Sequence, residues 1–208
     1  MSIVLREKIK NDIFDYLQLT DALSSYGNIR GKIGRLLANR EIIRIKKGFY
    51  TFPEYLRRAP LNPCVLANML YGPSYVSADY ALSYYGLIPE RVEVITSMTK
   101  GRTRVFYTPF GDFKYFQRNS RDYSIGILCQ ECAESNFLIA HPSKAIYDKV
   151  LTDLRFDGTD IEEYLLEDLR VDEDGLKEMD KKILQELAEQ SVGRMKLLVQ
   201  YLQKRNAK

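Results

Sequence analysis

The stretch from residue 28 to residue 50, NIRGKIGRLLANREIIRIKKGFY, decides how the first part of the chain folds. Asn28 is a good helix N-cap, because its side-chain oxygen can accept one of the backbone N–H groups that the first turn leaves unpaired. Behind it, Ile29, Ile33, Leu36 and Leu37 fall at i, i+4, i+7 and i+8, which predicts a helix over residues 29–39 with one buried face. Then Ile42-Ile-Arg-Ile-Lys46 and Phe49-Tyr-Thr-Phe52 flank Lys47-Gly48, the pattern of a β-hairpin closed by a two-residue turn. Upstream, Asp15-Tyr-Leu-Gln18 is a capping box that starts a short helix over residues 16–23, and Ser24-Ser-Tyr-Gly27 is a turn. A further helix is expected over residues 3–11. Helix, helix, helix and β-wing, in that order, predict a winged helix-turn-helix over residues 1–55.

On a helical wheel the sector opposite the apolar face of residues 29–39 holds Gly31, Arg35 and Ala38, flanked by Lys32, Gly34 and Asn39. Glycine inside a helix costs about 1 kcal/mol relative to alanine, so two of them suit a face that something approaches closely, such as a groove wall. Arginine and lysine beside them can bind phosphates or the O6 and N7 of guanine. The expected DNA-contacting residues are Asn28, Arg30, Lys32 and Arg35 on the helix, with Arg44, Lys46 and Lys47 on the wing. The bland alternatives are an incidentally basic face or a winged helix that binds protein.

Pro53, Arg57-Arg58 and Ala59-Pro60-Leu-Asn62-Pro63 break the periodic pattern and mark a linker, so a second domain is expected over residues 60–208. Pro63 and Ser77 should open helices to about Leu70 and Tyr85. Strands are predicted over residues 92–96, 103–107, 113–117, 123–129 and 136–139. The remainder, from about residue 142, reads as helical: Pro142 to about Leu151, Ile161 to Asp168, one apolar stripe of Leu176, Met179, Ile183, Leu184 and Leu187, and another of Met195, Leu198, Val199 and Leu202. The expected class is α+β: an N-terminal winged helix-turn-helix, then a mixed sheet-and-helix domain with a helical C-terminal part.

The formal net charge of +3 is unevenly spread. Residues 1–58 carry a net +6, residues 59–152 a net +1, residues 153–180 a net −9 and residues 181–208 a net +5. A basic first third suits an anionic partner, and an acidic block suits a cationic one or a solvated face. No apolar run approaches the roughly 20 residues that cross a bilayer, and MSIVLREKIKND lacks the apolar core of a secretory leader. Three cysteines are too few, and of the wrong parity, for a disulfide framework, which points to the reducing cytosol.

Catalytic patterns are sparse. No G-x-S-x-G, P-loop or G-x-G-x-x-G occurs. Cys129-Gln-Glu-Cys132 is half a zinc site at most, with only Cys64 and His141 to complete it, so no metal and no cofactor is expected. His141, beside Pro142 at a helix start, reads as structural. Asp112-Phe-Lys114 with Asp79 is a fragment of a metal-dependent nuclease pattern that also arises by chance. The chain is expected not to be an enzyme.

Three further patterns carry a resemblance: Phe14-x-Tyr16-x-x-Leu19 … Ile33-x-x-Leu36-Leu37 … Ile42-Ile-Arg-Ile-Lys-Lys-Gly48-Phe-Tyr50; Ser77-Ala-x-x-Ala81-Leu82-x-x-Tyr85-Gly86-Leu-Ile-Pro89, followed by Val94-Ile-Thr96 and Phe110-Gly-Asp-Phe113; and Ile139-Ala-x-Pro142-x-Lys144-Ala145-x-x-Asp148. In order and spacing, over about residues 14–150, they resemble the AbiEi-type antitoxins, a family of predicted viral-defence transcriptional regulators. The resemblance implies a phage-defence (abortive infection) toxin–antitoxin protein that represses its own operon through inverted repeats in the promoter. It also implies a second domain that counteracts a nucleotidyltransferase-like toxin encoded alongside. A toxin that handles nucleic acid should present a basic surface, so Asp160, Glu162, Glu163, Glu167 and Asp168 are the expected toxin-contact residues. The alternative is a winged-helix transcription factor whose second domain senses a ligand or dimerises.

Overall fold

Asp15 and Asn28 set the frame of the first part of the chain. The computed structural model describes residues 2–132 and 135–206. Helix α1 (Ser2–Lys8) leads into a short strand β1 (Ile13–Asp15), and Asp15 caps α2 (Tyr16–Ala22) through a complete capping box. Asn28 caps α3 (Ile29–Ala38), its Oδ1 accepting from the Gly31 N–H at 2.8 Å. Strands β2 (Ile43–Lys46) and β3 (Phe49–Thr51) follow, joined through Gly48, whose φ of +86° is the left-handed conformation such a turn needs. Strand β1 was not expected from the sequence. It pairs antiparallel with β3, Phe14 opposite Tyr50, so the hairpin becomes a three-stranded sheet of order β1-β3-β2. Phe14, Leu19, Ile33, Leu36, Ile42 and Phe52 form the core beneath it.

The chain divides into two compact units, Met1–Asn62 with Thr108–Phe110, and Pro63–Tyr107 with Gly111–Lys208. The second unit is α+β. Its six-stranded sheet has the order β6-β7-β5-β4-β9-β8, made of β4 (Ser74–Val76), β5 (Ile95–Thr99), β6 (Arg104–Thr108), β7 (Gly111–Gln117), β8 (Ile127–Cys132) and β9 (Ser135–Ala140). Helix α4 (Pro63–Leu70) packs on β9 and β4, and α5 (Ala78–Tyr84) packs on α6 (Pro142–Thr152). Pairing is mixed: β4 runs antiparallel to β5 and parallel to β9, and β5 runs parallel to β7.

Four expectations are corrected, and β4 is an added central strand. The strand predicted over residues 92–96 lies three residues later, at Ile95–Thr99. The strand predicted over residues 123–129 begins only at Ile127, because residues 121–124 form a 3₁₀ turn and Gly126 takes a φ of +65°. The helix predicted over residues 161–168 is α-helical only in α7 (Ile161–Glu163) and π-helical over Tyr164–Asp168. The stripe from Leu176 to Leu187 is split: Leu176 lies on α8 (Glu173–Lys177), Ile183, Leu184 and Leu187 lie on α9 (Lys181–Gln190), and Met179 lies between the two helices, just before Asp180, which caps the second. Helix α10 (Arg194–Arg205) completes the described chain. No described helix is long and apolar enough to cross a membrane.

A buried polar network lies in the second unit. The Asp148 carboxylate accepts from the Tyr75 hydroxyl at 2.9 Å and from Ser77 Oγ at 2.7 Å, and lies 3.2 Å from Lys144 Nζ. Lys144 also donates to the Asp122 carbonyl at 2.9 Å. Burial, then the adjacent Asp148 charge, push the Tyr75 hydroxyl far above its ordinary range, so it stays a donor. Ser77, Lys144 and Asp148 all belong to the patterns quoted above, and here they meet in the core.

Candidate nucleic-acid interface

Helix α3 and the β2–β3 hairpin carry the first unit's expected contact residues. Asn28, Arg30 and Arg35 are exposed on or before α3, Arg44 and Lys47 are exposed on the hairpin, and Lys46 is half-buried. Three of these cations are steadied locally. Arg35 Nε reaches the Gly31 carbonyl at 3.4 Å, Arg44 lies 5.9 Å from the Tyr50 ring centroid, and Lys46 Nζ lies 4.9 Å from that of Phe49. Asn28 spends its side-chain oxygen on the cap. Arg40 adds an exposed cation that the sequence reading passed over, where α3 ends in a left-handed residue with φ of 54°.

Lys32 is a correction. It is only 7% exposed, with its Nζ 5.3 Å from the Tyr26 ring centroid, and it lines a groove with Leu23, Tyr26 and Leu36. A lysine stem readily covers apolar surface, and this one faces the α1–α2 side. It leaves the set of residues expected at the DNA.

The two glycines of α3 also part ways. A Cβ on Gly31 would sit 2.7 Å from the Asn28 amide nitrogen, so Gly31 makes room for the cap. A Cβ on Gly34 would meet nothing within 4 Å, and the residue is exposed. Nothing within the unit asks for glycine there. Gly34→Ala is therefore expected to stabilise the first unit by about 1 kcal/mol in a denaturant melt and at the same time to weaken DNA binding. A variant that is more stable and binds DNA as well as before would remove Gly34 from the groove face.

The second unit has a basic end of its own. Thr99 pairs with Gln117, the Arg118 N–H donates to the Thr99 carbonyl at 2.7 Å, and the Gln117 N–H donates to Thr103 Oγ1 at 3.0 Å, so the ends of β5 and β7 and the start of β6 converge. Lys100, Arg102 and Arg104 are exposed there, with exposed Arg121 just beyond Arg118. Lys100 stands 5.1 Å from the Tyr123 ring centroid and Arg104 stands 5.5 Å from that of Tyr71. Among the described residues none of these four is ion-paired, whereas Arg118 is engaged by Asp122. Burial pushes the Asp122 carboxyl up, but hydrogen bonds from Arg118 and Ser120 and the Lys144 charge outweigh it and hold the group below its ordinary range. The signal for this end was in the sequence: residues 91–121 hold seven Lys/Arg against Glu93 and Asp112, an excess hidden by averaging over residues 59–152.

The other candidates separate. Cys129 and Cys132 lie three apart on β8, so they point to opposite faces of the strand and cannot close on one ion. Cys64 is buried, and burial pushes its thiol up to about 12. Asp79 is paired with Lys149 at 2.6 Å, while Asp112 and Lys114 stand on β7. Among the described residues no three His, Cys, Asp or Glu side chains are grouped to hold a metal. His141 caps α6, its Nδ1 accepting from the Ser143 N–H at 3.2 Å, and burial lowers its pKa. Asp160, Glu162, Glu163, Glu167 and Asp168 are all exposed. Glu162, however, is bound by Arg205 at 2.6 Å, and the same guanidinium binds Glu173. The acidic block is thus partly neutralised by α10, which the local charge count could not reveal.

The chain matches no family model and no curated protein.

Proposed function

We propose that the first unit is a winged helix-turn-helix that binds duplex DNA, with α3 in the major groove and the β2–β3 wing on the flanking backbone. The observation that carries this reading is the presentation of exposed Arg30 and Arg35 on α3 together with Arg44, Lys46 and Lys47 on the hairpin of the same small unit. Arg35 reads base edges, and the hairpin cations bind phosphates. Exposed Lys100, Arg102, Arg104 and Arg121 give the second unit an anion-binding end as well.

The wider reading follows from the sequence resemblance: an autorepressor and antitoxin, acting on inverted repeats in its own promoter and counteracting a nucleotidyltransferase-like toxin. The test is co-expression with the neighbouring nucleotidyltransferase-like reading frame. Restored growth, together with repression of a promoter reporter, is the expected result. An absent neighbour, or growth arrest unchanged by this chain, leaves a transcription factor without a toxin.

A further inference from the structure

The sheet of the second unit is covered at its centre and opens toward its β6 edge. Cross-strand partners share a face of a sheet, and so do alternate residues along one strand. Phe116 on β7 lies opposite Met98 on β5, and Met98 lies opposite Tyr75 on β4. Tyr75 and Met98 are buried, and the Tyr123 ring packs edge-on against Tyr75 with 5.1 Å between centroids. Lys100 Nζ stands 5.1 Å from the Tyr123 centroid, so Lys100 belongs to this face. Lys114, two residues before Phe116, shares it, with its Nζ 4.7 Å from the Phe116 centroid. On β6, Phe106 packs at 5.6 Å against Tyr115, which points to the opposite face, so Val105 and Tyr107 turn to the face of Phe116. Here the face is open: Val105 is 44% and Tyr107 80% exposed, Lys114 is exposed and Phe116 is half-buried.

Rings and cations alternate along this face. Thr103 Oγ1 accepts from the Gln117 N–H at one end of the hairpin, and Thr108 and Gly111 flank its turn at the other. Tyr107 therefore falls beside Asp112 and Lys114, and Val105 beside Lys114 and Phe116, with Lys100 beyond Phe116. Lys100 and Lys114 have no ion-pair partner among the described residues, and Arg121 adds an exposed cation on the turn that holds Tyr123. Arg104 stands over Tyr71 on the opposite face and takes no part. Acids are few: Asp112 is half-buried at the turn end, and Asp122 is buried and held by Arg118. Helix α9, packed on the 121–124 turn, brings Lys181 and Lys182 as well as Glu186 and Glu189. A duplex would meet the lysines through its phosphates, but its stacked bases would leave the rings without partners. Unstacked bases lay their faces on aromatic rings while cations between the rings hold the phosphates. We infer that the open β6–β7 face binds single-stranded nucleic acid, with Tyr107 and Phe116 stacking on bases and Lys100 and Lys114 holding the backbone. This goes beyond the duplex reading of the first unit and does not depend on it.

The experiment uses the full chain with Arg35, Lys46 and Lys47 changed to Ala, which removes the first unit's expected DNA contacts. Anisotropy of short fluorescein-labelled oligouridine, oligothymidine and a mixed-sequence duplex is followed over a salt series. On this background Tyr107→Ala is expected to weaken single-strand binding about tenfold and leave the salt slope unchanged. Tyr107→Phe keeps the ring and should bind as the background does. Lys100→Ala/Lys114→Ala should lower the salt slope by about 0.7 for each lost phosphate contact. Tyr55→Ala, at a tyrosine 75% exposed on the first unit, should change nothing. Thermal melting establishes that each variant is folded, and the two oligonucleotides separate RNA from DNA as the source. A folded background that binds neither strand, or a Tyr107→Ala variant that binds them equally well, overturns the inference. So does tighter binding of the duplex than of either strand. Self-association that Tyr107→Ala abolishes overturns it too, since a second copy would then occupy the face. Because the background lacks the first unit's contacts, failure here and failure of the duplex reading are distinguishable.

Discussion

Asp148→Ala is expected to cost the second unit about 3–5 kcal/mol, enough to lower its melting temperature sharply or unfold it outright. The carboxylate is fully buried and serves three groups at once: Lys144, Tyr75 and Ser77. Removing it leaves the Lys144 ammonium in the core with the Asp122 carbonyl, and leaves two buried hydroxyls without their acceptor. An uncompensated buried charge is far more costly than the pair was stabilising. The double change Lys144→Met/Asp148→Leu removes both charges, so it should recover much of the loss despite the stranded hydroxyls. Denaturant unfolding of the three proteins measures this, and equal stabilities for wild type and Asp148→Ala would contradict it. The neighbouring Asp122 adds a pH dependence. Its folded pKa lies below the ordinary 3.8, so its contribution is fully present above that value and is lost as the pH falls through the lower folded one.

The second large effect is on DNA. Changing Arg35, Lys46 and Lys47 together to Ala is expected to abolish promoter binding at physiological salt. A bidentate arginine–guanine contact is worth about 1–3 kcal/mol of discrimination. Each lost phosphate contact should lower the salt slope by about one and weaken every sequence alike. Arg35→Ala alone should relax sequence preference, and Lys47→Ala alone should not. Lys32→Ala, by contrast, should disturb packing in the first unit more than it disturbs sequence choice, since Lys32 is covered by the α1–α2 side. Anisotropy titrations over a salt series distinguish these outcomes.

How far the sequence could be read depended on whether the deciding partners were local. The caps at Asp15 and Asn28 were legible because each is completed within three residues, side chain to backbone. Strands β1 and β4 were not, because three residues carry no measurable period, and their pairing partners lie far along the chain, at Phe49–Thr51 for β1 and at Ile95–Thr99 and Ile139 for β4. Lys32 sat at the edge of the polar sector on a helical wheel, and a wheel cannot show that α1 and α2 cover that edge. Lys144 and Asp148 have the i, i+4 spacing of an exposed helix pair. Only Tyr75 and Ser77, some 70 residues earlier, reveal that the pair is buried. The cysteine pair was weakened by a period of two: three residues along a strand reverse the face.

DNA reading by α3 and the β2–β3 hairpin is open to hydroxyl-radical footprinting of the duplex upstream of the gene, with wild type and the triple variant side by side. Protection of two inverted half-sites by wild type, separated by a whole number of helical turns, is expected, and none by a folded triple variant. A wild type that protects nothing there, or a triple variant that protects the same nucleotides equally well, would contradict it.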